Sequence, residues 1–292
     1  MKIVVTGREG QVVQSLLEKA SQRPNIQVIA MGRPELDLAK PETVRSAISA
    51  IKPDLVVSAA AYTAVDLAED EAELAFAVNA GGAQAVAEAA NACGVPVIHI
   101  STDYVFAGDA SEPYVEKDIT GPQGVYGSSK LEGERLVSQA NPRHIILRTA
   151  WVYSPFGKNF VKTMLKLAET RDALSVVSDQ WGNPTSALDI ADAIIQVADH
   201  LATVPDFSAY GVYHLAGTGD TNWSGFARAI FNESVELGGP TATVSNIATA
   251  DYPTKAARPA NSRLSTTKFK EIFNWSAPNW QSSLIDVVTR LV

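Results

Sequence analysis

A tyrosine and a lysine four residues apart, Tyr126 and Lys130, form the pair in this sequence best suited to proton transfer. On a helix, residues at this spacing project from the same face, one turn apart. The lysine ammonium would then lie near the phenol and lower its pKa from the ordinary value of about 10. We therefore predict that Tyr126 exchanges a proton with a carbonyl oxygen near neutral pH. Such pairs also occur by chance on solvent-exposed helices, so the prediction depends on the rest of the chain.

A second hydroxyl is expected near the same carbonyl oxygen. The run STDYVF (101–106) follows a predicted strand, so its hydroxyl groups should open onto the cleft at the strand end. A Ser or Thr there can hydrogen-bond the oxygen that Tyr126 protonates, although alone it is also typical of a helix cap or a turn. Ser101 and Thr102 are both candidates for this role.

The elements that must position these residues follow an alternating pattern. Strands are expected at 3–5, 28–31, 54–58, 97–100 and 144–148, and helices at 11–20, 41–51, 71–94 and from Lys130 to about 140. Strands that are apolar throughout and alternate with long helices indicate a parallel sheet covered on both faces. We predict an α/β fold with a doubly wound parallel (Rossmann) sheet, with ligands at the carboxyl ends of its strands.

The alternation becomes less regular after Trp151, although helices are still expected at 159–170 and 188–200. We predict a dinucleotide-binding domain over residues 1–150. A smaller, mainly substrate-binding region is predicted over 151–292, with some of its elements returning to the first domain. A cleft between the two would hold the ligands.

Gly7 and Gly10 lie between the first strand and the first helix, where a dinucleotide-binding turn is expected. Glycine lets the backbone approach a pyrophosphate, and the helix N-terminus supplies N–H donors and a positive dipole. Val13 stands where the third glycine of the pattern is usual, and we expect it to push the helix slightly outward. A simple strand-to-helix turn is the alternative, which the βαβ context disfavours.

The second strand ends in Gly32 and Arg33 rather than in an acidic residue that would bind a ribose 2′-hydroxyl. An arginine there can bind a 2′-phosphate with two hydrogen bonds, which slightly favours NADPH over NADH as the cofactor. The alternative is that Arg33 is a solvated loop charge.

Composition excludes several classes of function. The 292 residues are 46% hydrophobic, with a net charge of -8 and no basic block, so no nucleic-acid partner is expected. The single cysteine, Cys93, excludes an intramolecular disulfide and a Cys-rich metal site. No signal-peptide pattern and no long apolar run are present, so we expect a cytoplasmic protein without a membrane span. A homodimer is left open.

Six segments give the sequence its resemblance to a known family. They are AAAYTAVD (59–66), STDYVF (101–106), YGSSK (126–130), RTAWVY (148–153), DQWGNPT (179–185) and RPANS (258–262). The chain resembles the extended short-chain dehydrogenase/reductases, and within them the reductases of dTDP-linked 4-keto deoxysugars. The resemblance implies NADPH- or NADH-dependent reduction of the C4 ketone of dTDP-4-dehydro-6-deoxy-L-mannose, giving dTDP-L-rhamnose.

The resemblance also implies residue roles. Tyr126 would donate a proton to the C4 ketone, Lys130 would bind the nicotinamide ribose and lower the Tyr126 pKa, and Thr102 would polarise the carbonyl. The implied cofactor contacts are Gly10, Gln11 and Val12 at the pyrophosphate, Asp37 and Leu38 by the adenine, and Ala61, Tyr62 and Thr63 along the cleft. The implied substrate contacts are Thr102, Asp103 and Trp151 at the deoxysugar and Arg258 at the diphosphate. Trp151 as a core aromatic and Arg258 as a solvated charge are the alternatives.

Some relatives hold a magnesium ion through an acidic residue on the first helix, where this chain has Ser15. No metal is therefore predicted. Two other functions remain open: reduction of another nucleotide-linked keto-sugar, and a non-catalytic NADP-binding regulatory subunit like the β subunit of methionine adenosyltransferase. The intact Thr102, Tyr126 and Lys130 disfavour the regulatory subunit, whereas Val13 favours it.

Overall fold

The structure is a computed structural model that describes residues 1–292. Its strands are β1 (Lys2–Thr6), β2 (Gln27–Met31), β3 (Leu55–Ser58), β4 (Val97–Thr102), β5 (His144–Thr149), β6 (Val152–Tyr153), β7 (Ala173–Val177), β8 (Trp181–Gly182), β9 (Thr185–Ser186), β10 (Gly211–His214), β11 (Thr221–Asn222), β12 (Thr243–Ile247) and β13 (Asn261–Ser262). Its α-helices are α1 (Gln11–Ser21), α2 (Pro41–Ile51), α3 (Val65–Ala68), α4 (Ala72–Phe76), α5 (Ala83–Ala92), α6 (Val125–Ala140), α7 (Phe160–Ala168), α8 (Ala187–Thr203), α9 (Trp223–Glu236), α10 (Thr267–Phe273) and α11 (Trp280–Thr289).

Six strands form one parallel sheet in the order β2-β1-β3-β4-β5-β10. The order reverses at β1, since β2 lies on one side of it and β3 on the other. In doubly wound sheets the ligand crevice opens at this reversal, outside the carboxyl ends of the strands. The predicted α/β fold with a doubly wound parallel sheet is confirmed.

Alternate residues of each strand point to opposite faces of the sheet and fill two separate cores. Ile3 and Val5 of β1 pack with α1, α8 and α10, whereas Val4 packs with α2, α5 and α6. Both faces are therefore covered, which is why these strands are apolar throughout. No helix in the structure combines the length and apolar character needed to cross a membrane.

The C-terminal half of the chain contributes both to the main sheet with its helical layer and to a separate core. Strand β10 adds an edge to the main sheet, and α8 and α10 pack on the same face as α1. The remaining elements build a separate core around α7, α9 and α11, flanked by the small sheets β12-β7, β11-β8-β13 and β6-β9. A boundary between two folding units at residue 150 stays a prediction.

The prediction of a single α-helix over residues 71–94 is wrong in the middle of that range. A turn of π-helix, Ala77–Gly82, separates α4 from α5. The π-turn contains the buried Asn79, whose Oδ1 accepts a hydrogen bond from the Tyr62 N–H at 2.8 Å and whose Nδ2 donates to the Tyr62 carbonyl at 3.1 Å. These bonds to a residue outside the helix compensate for the α-helical hydrogen bonds that the π-turn interrupts. No local sequence pattern predicts them.

Val13 stands where the third glycine of the pattern is usual, and its side chain fills space that a glycine would leave empty. It is 1% exposed and packs in the core beneath α1. Its Cγ2 would lie 3.2 Å from a Cβ placed on Gly7, whose φ of +101° also favours glycine. The valine therefore belongs to the β1–α1 packing.

Restoring glycine at this position should destabilise the protein. We expect Val13→Gly to lower the free energy of unfolding by about 2–4 kcal/mol, because it leaves a cavity and adds a glycine inside a helix. Denaturant unfolding measures the change, and Val13→Ala, which keeps a good helix former, isolates the cavity contribution. A Val13→Gly variant as stable as the parent protein would contradict this packing.

Candidate active site

A cleft of about 710 Å³ opens at the carboxyl ends of β1, β3, β4 and β5. The sheet and α6 form one wall, and residues 151–158 of the C-terminal region form the other. The predicted site residues that line it are Gly7, Gly10, Gln11, Val12, Ala61, Thr63, Thr102, Asp103, Tyr126, Lys130 and Trp151. The structure thus brings together both ends of the predicted site, the glycine turn and the Thr, Tyr and Lys side chains.

Four predicted cofactor contacts lie outside the lining of this cleft. Arg33 is exposed in the loop after β2, and the Asp37 carboxylate accepts a hydrogen bond from the Ala39 N–H at 3.1 Å. Leu38 is buried against Gly82, and the Tyr62 hydroxyl donates to Glu71 at 2.7 Å. Their contacts with a cofactor stay predictions.

Arg258 is held by a carboxylate. Its Nη2 donates to Asp66 Oδ2 at 2.6 Å, and Asp66 Oδ1 accepts the Ala256 N–H at 3.0 Å. These bonds tie the loop before β13 to α3. The predicted contact of Arg258 with a substrate diphosphate stays a prediction, and it would require the guanidinium to share or leave Asp66.

The glycine turn has the properties of an anion site. Gly7 adopts a φ of +101°, and Gly10 precedes α1 without any side chain capping the helix. The first N–H groups of α1 therefore keep their donors for a ligand, and no Cβ obstructs the turn. The Gln11 side chain joins α1 to the opposite wall of the cleft, because its Oε1 accepts bonds from Ser154 at 2.8 Å and Asn159 at 3.0 Å.

Two glycines let α6 pack closely against the turn that follows β4 and against the π-turn between α4 and α5, which places Tyr126 and Lys130. A Cβ on Gly127 would lie 2.2 Å from the Tyr104 carbonyl oxygen, and one on Gly133 would lie 2.1 Å from the Asn79 carbonyl oxygen. Real Cβ atoms do not tolerate such distances, so these residues must be glycine for the helix to sit there.

A buried ion pair fixes α6 against β4 and β5. The Arg148 guanidinium donates two bonds to Glu134, at 2.9 and 2.7 Å, and both side chains are about 95% buried, with 5% and 6% exposed. Ser101 donates a third bond to Glu134 at 2.6 Å. Removing one partner of such a pair leaves an uncompensated buried charge, so the pair holds the helix in one register.

The Tyr126 phenol does not have the lowered pKa that we predicted. Burial, reinforced by the charge of Asp103, raises the pKa of Tyr126 to about 12, and a hydrogen bond with Thr102 opposes the rise. The Lys130 ammonium donates instead to the Ile100 carbonyl at 2.6 Å. Sequence spacing placed the two residues on one helix face, but it carried no information about this competing acceptor.

Asp103 is the buried acid of the site. Burial raises its pKa from 3.8 to about 6, opposed by hydrogen bonds from Ser262 and Thr102. The Thr102 hydroxyl donates to Asp103 Oδ1 at 2.9 Å, while the buried Oδ2 has no protein partner. Because this oxygen is inaccessible to solvent, the carboxylate would have to turn before it could accept a bond from a hydroxyl group in the cleft. Ser262 was not singled out, although it lies in the RPANS segment of the family resemblance.

Trp151 forms part of the cleft wall, and a second tryptophan packs against it. Its ring stacks on Trp223 at 3.6 Å with an interplanar angle of 10°. A Cβ on Gly182 would lie 2.5 Å from the Trp151 ring, so that glycine allows the close packing. Trp223, at the start of α9, was missed because nothing in the local sequence connects it with Trp151.

No group of three or more His, Cys, Asp or Glu side chains is arranged to hold a metal ion. Ser15 is fully buried in α1, away from the residues that line the cleft.

The fold and the site define the class of protein. A glycine turn and an uncapped helix N-terminus at one end of the cleft, with Thr102, Tyr126 and Lys130 at the other, are the arrangement of a short-chain dehydrogenase/reductase. The model of the family described as the RmlD substrate binding domain matches residues 1–292.

Individual relatives agree. The chain is 50% identical to the dTDP-4-dehydrorhamnose reductase of Sinorhizobium fredii, over 100% of this chain and 98% of that protein. The dTDP-4-dehydrorhamnose reductase structure from Clostridium acetobutylicum matches with a TM-score of 0.91 and 37% identity, covering 100% and 99% of the two chains. That from Bacillus anthracis, in complex with NADP, matches with 0.89 and 33%, covering 99% and 98%. This chain belongs to the dTDP-4-dehydrorhamnose reductase family, and the predicted resemblance is confirmed.

Adding one methyl group at Gly127 should displace α6, and with it Tyr126 and Lys130. We expect Gly127→Ala to lower kcat/KM by about 100-fold or more, because displacement of catalytic groups by about 1 Å costs that much. Steady-state reductase assays measure the loss, and circular dichroism checks that the fold persists. Ser128→Ala is the matched control and should retain its activity, because Ser128 bonds the Gly124 carbonyl through its backbone N–H, which alanine retains.

Asp103 should make stability depend on pH. Because its pKa is raised to about 6 in the folded protein, its stabilising effect is complete below about pH 4 and is lost as the pH rises through 6. Asp103→Asn removes this loss, so its unfolding free energy relative to the parent protein should rise by about 2 kcal/mol from pH 4 to pH 7. Denaturant titrations at both pH values measure it. An equal difference at the two values would show that Asp103 ionises normally.

Proposed function

We propose that this chain reduces the C4 ketone of dTDP-4-dehydro-6-deoxy-L-mannose to dTDP-L-rhamnose, with NADPH or NADH as the hydride source. The observation that carries the proposal is the meeting of Thr102, Tyr126 and Lys130 with the α1 N-terminus in one cleft. The membership of the whole chain in the dTDP-4-dehydrorhamnose reductase family supports the choice of substrate.

The residues of the cleft fit a dinucleotide. Gly7 and Gly10 leave room for a pyrophosphate at the uncapped N-terminus of α1, and Lys130, which lines the same cleft, would supply a donor to a ribose hydroxyl. The bound cofactor supplies the hydride. NADPH is slightly favoured over NADH because Arg33 is exposed at the end of β2, free to bind a 2′-phosphate.

The protein supplies the proton and the orientation. Tyr126, with its pKa raised to about 12, is protonated across the physiological range and donates its proton to the ketone oxygen as that oxygen becomes negative. The Thr102 hydroxyl turns away from Asp103 Oδ1 to donate to the same oxygen. The Asp103 carboxylate, freed from that bond, accepts a sugar hydroxyl, and the Trp151 ring presents a flat face to the deoxysugar. Tyr126 then regains its proton from solvent.

A nucleotide-sugar substrate fits the family and the cleft. Location in the cytoplasm and assembly as a homodimer stay predictions, which cell fractionation and analytical ultracentrifugation measure.

Replacing the proposed proton donor should slow turnover strongly without abolishing binding. We expect Tyr126→Phe to lower kcat by about 10²- to 10⁴-fold, the usual contribution of general acid catalysis. Oxidation of NADPH and NADH in the presence of the 4-keto-dTDP-sugar measures it, and the ratio of the two rates tests the Arg33 interpretation. Tyr104→Phe, which removes a neighbouring phenol whose ring packs edge-on against Tyr126, is the control and should remain active.

The same assay separates the alternatives. Cofactor binding without turnover of this substrate would contradict the proposal. Turnover of another nucleotide-linked keto-sugar would then identify a reductase of different specificity. Failure with every keto-sugar, together with co-purification of a catalytic partner, would identify a regulatory subunit.

A further inference from the structure

Two neutral groups hold the buried ammonium of Lys130. Its Nζ donates to the Ile100 carbonyl oxygen at 2.6 Å and lies 3.3 Å from His99 Nε2. Lys130 is 2% exposed and His99 is 1% exposed. Lys130 lines the cleft, whereas His99 lies behind it and touches neither the cofactor space nor the substrate space.

The donor and acceptor rules fix the tautomer of His99. An ammonium has three N–H donors and no acceptor, so His99 Nε2 must accept the bond from Lys130. The ring proton is then on Nδ1, which donates to Ser58 Oγ at 3.1 Å. Burial and the charge of Lys130 hold the pKa of His99 well below its ordinary 6.5, which agrees with a neutral ring. A hydrogen-bonded chain therefore crosses from α6 through β4 to β3.

These bonds direct the remaining donor of Lys130. Ile100 and His99 take two of its three N–H groups, which leaves one for the cleft that Lys130 lines. Without His99, the ammonium would have one buried acceptor and freedom to rotate about the Ile100 bond.

We propose that His99 is a positioning residue for the reductase reaction, whose neutral Nε2 holds the Lys130 ammonium charged and aims its third N–H at the ribose of the cofactor. The proposal rests on the proposed function for its kinetic consequences. Its geometric basis is the Lys130–His99–Ser58 chain.

Other charges around Lys130 do not replace His99. Glu134, one turn further along α6, raises the Lys130 pKa, but Arg148 and Ser101 occupy its oxygens. Tyr126 and Asp103 face the same cleft. Burial lowers the pKa of Lys130 to about 8, so the charged form is sensitive to the loss of a hydrogen bond near neutral pH.

Two substitutions separate hydrogen bonding from packing. In His99→Gln, the side-chain oxygen can take the place of Nε2 as an acceptor. In His99→Leu, the volume is similar but the acceptor is absent. The parent protein and both variants are compared by the pH dependence of kcat, and by fluorescence titration of NADPH at pH 7 and pH 9 without substrate. Long-range ¹H–¹⁵N NMR reads the tautomer of His99 in the parent protein.

We expect His99→Leu to lower kcat by about tenfold or more and to move its alkaline limb down by about one pH unit, one unit being a tenfold change in protonation. The NADPH dissociation constant of this variant should rise more at pH 9 than at pH 7. His99→Gln should keep the parent alkaline limb and affinity. The NMR spectrum should show a neutral ring with its proton on Nδ1.

Three results would each overturn the proposal. They are an unchanged alkaline limb of kcat in His99→Leu, equal losses of kcat in the His99→Leu and His99→Gln variants, and a ring proton on Nε2 of His99. If His99→Leu does not fold, Ser58→Ala, which frees the ring at Nδ1, replaces it; a smaller shift in the same direction supports the proposal and no shift contradicts it. Absence of keto-sugar turnover by the parent protein would contradict the proposed function alone, because the NADPH titrations and the tautomer still decide the role of His99.

Discussion

The close contact of α6 with two backbone carbonyl groups is the constraint on which the site depends. Gly127 and Gly133 meet the carbonyl oxygens of Tyr104 and Asn79 at distances that admit no side chain. Lys130 lies between these glycines, three residues from each, and therefore faces inward with them. The lysine is buried because its neighbours on that face have no side chains to hold the helix away, and Tyr126 is carried to the mouth of the cleft by the same helix.

Burial of a lysine creates an electrostatic problem that the surrounding residues solve in two parts. The only carboxylate close along the same face, Glu134, is saturated by Arg148 and Ser101, so it contributes a favourable field without binding the ammonium. The ammonium itself is satisfied by neutral acceptors, the Ile100 carbonyl and the His99 ring. A direct Lys130–Glu134 pair would satisfy both charges but would turn the ammonium away from the cleft.

Sequence patterns predicted what depends on local residues and missed what depends on distant ones. The first five strands of the main sheet, the glycine turn and the Tyr-x-x-x-Lys helix each carry their signal within a few residues. Strand β10 joins the sheet by pairing with β5, which lies far earlier in the chain. The π-turn at Asn79 and the stack of Trp151 on Trp223 are likewise decided by partners far along the chain.

The Tyr126 pKa shows why spacing alone misjudged the chemistry. Helical geometry brings the two residues onto one face, but the flexible lysine side chain is drawn to the strongest acceptors within reach, which lie on β4 rather than at the phenol. Burial then dominates and keeps Tyr126 protonated. For the proposed reaction this is the useful state, because Tyr126 as the proton donor would still have to hold its proton when negative charge develops on the ketone oxygen. The alkoxide that forms is a far stronger base than a phenolate, so a donor with a pKa of about 12 still transfers its proton downhill, while the neutral phenol avoids placing a second negative charge beside Asp103.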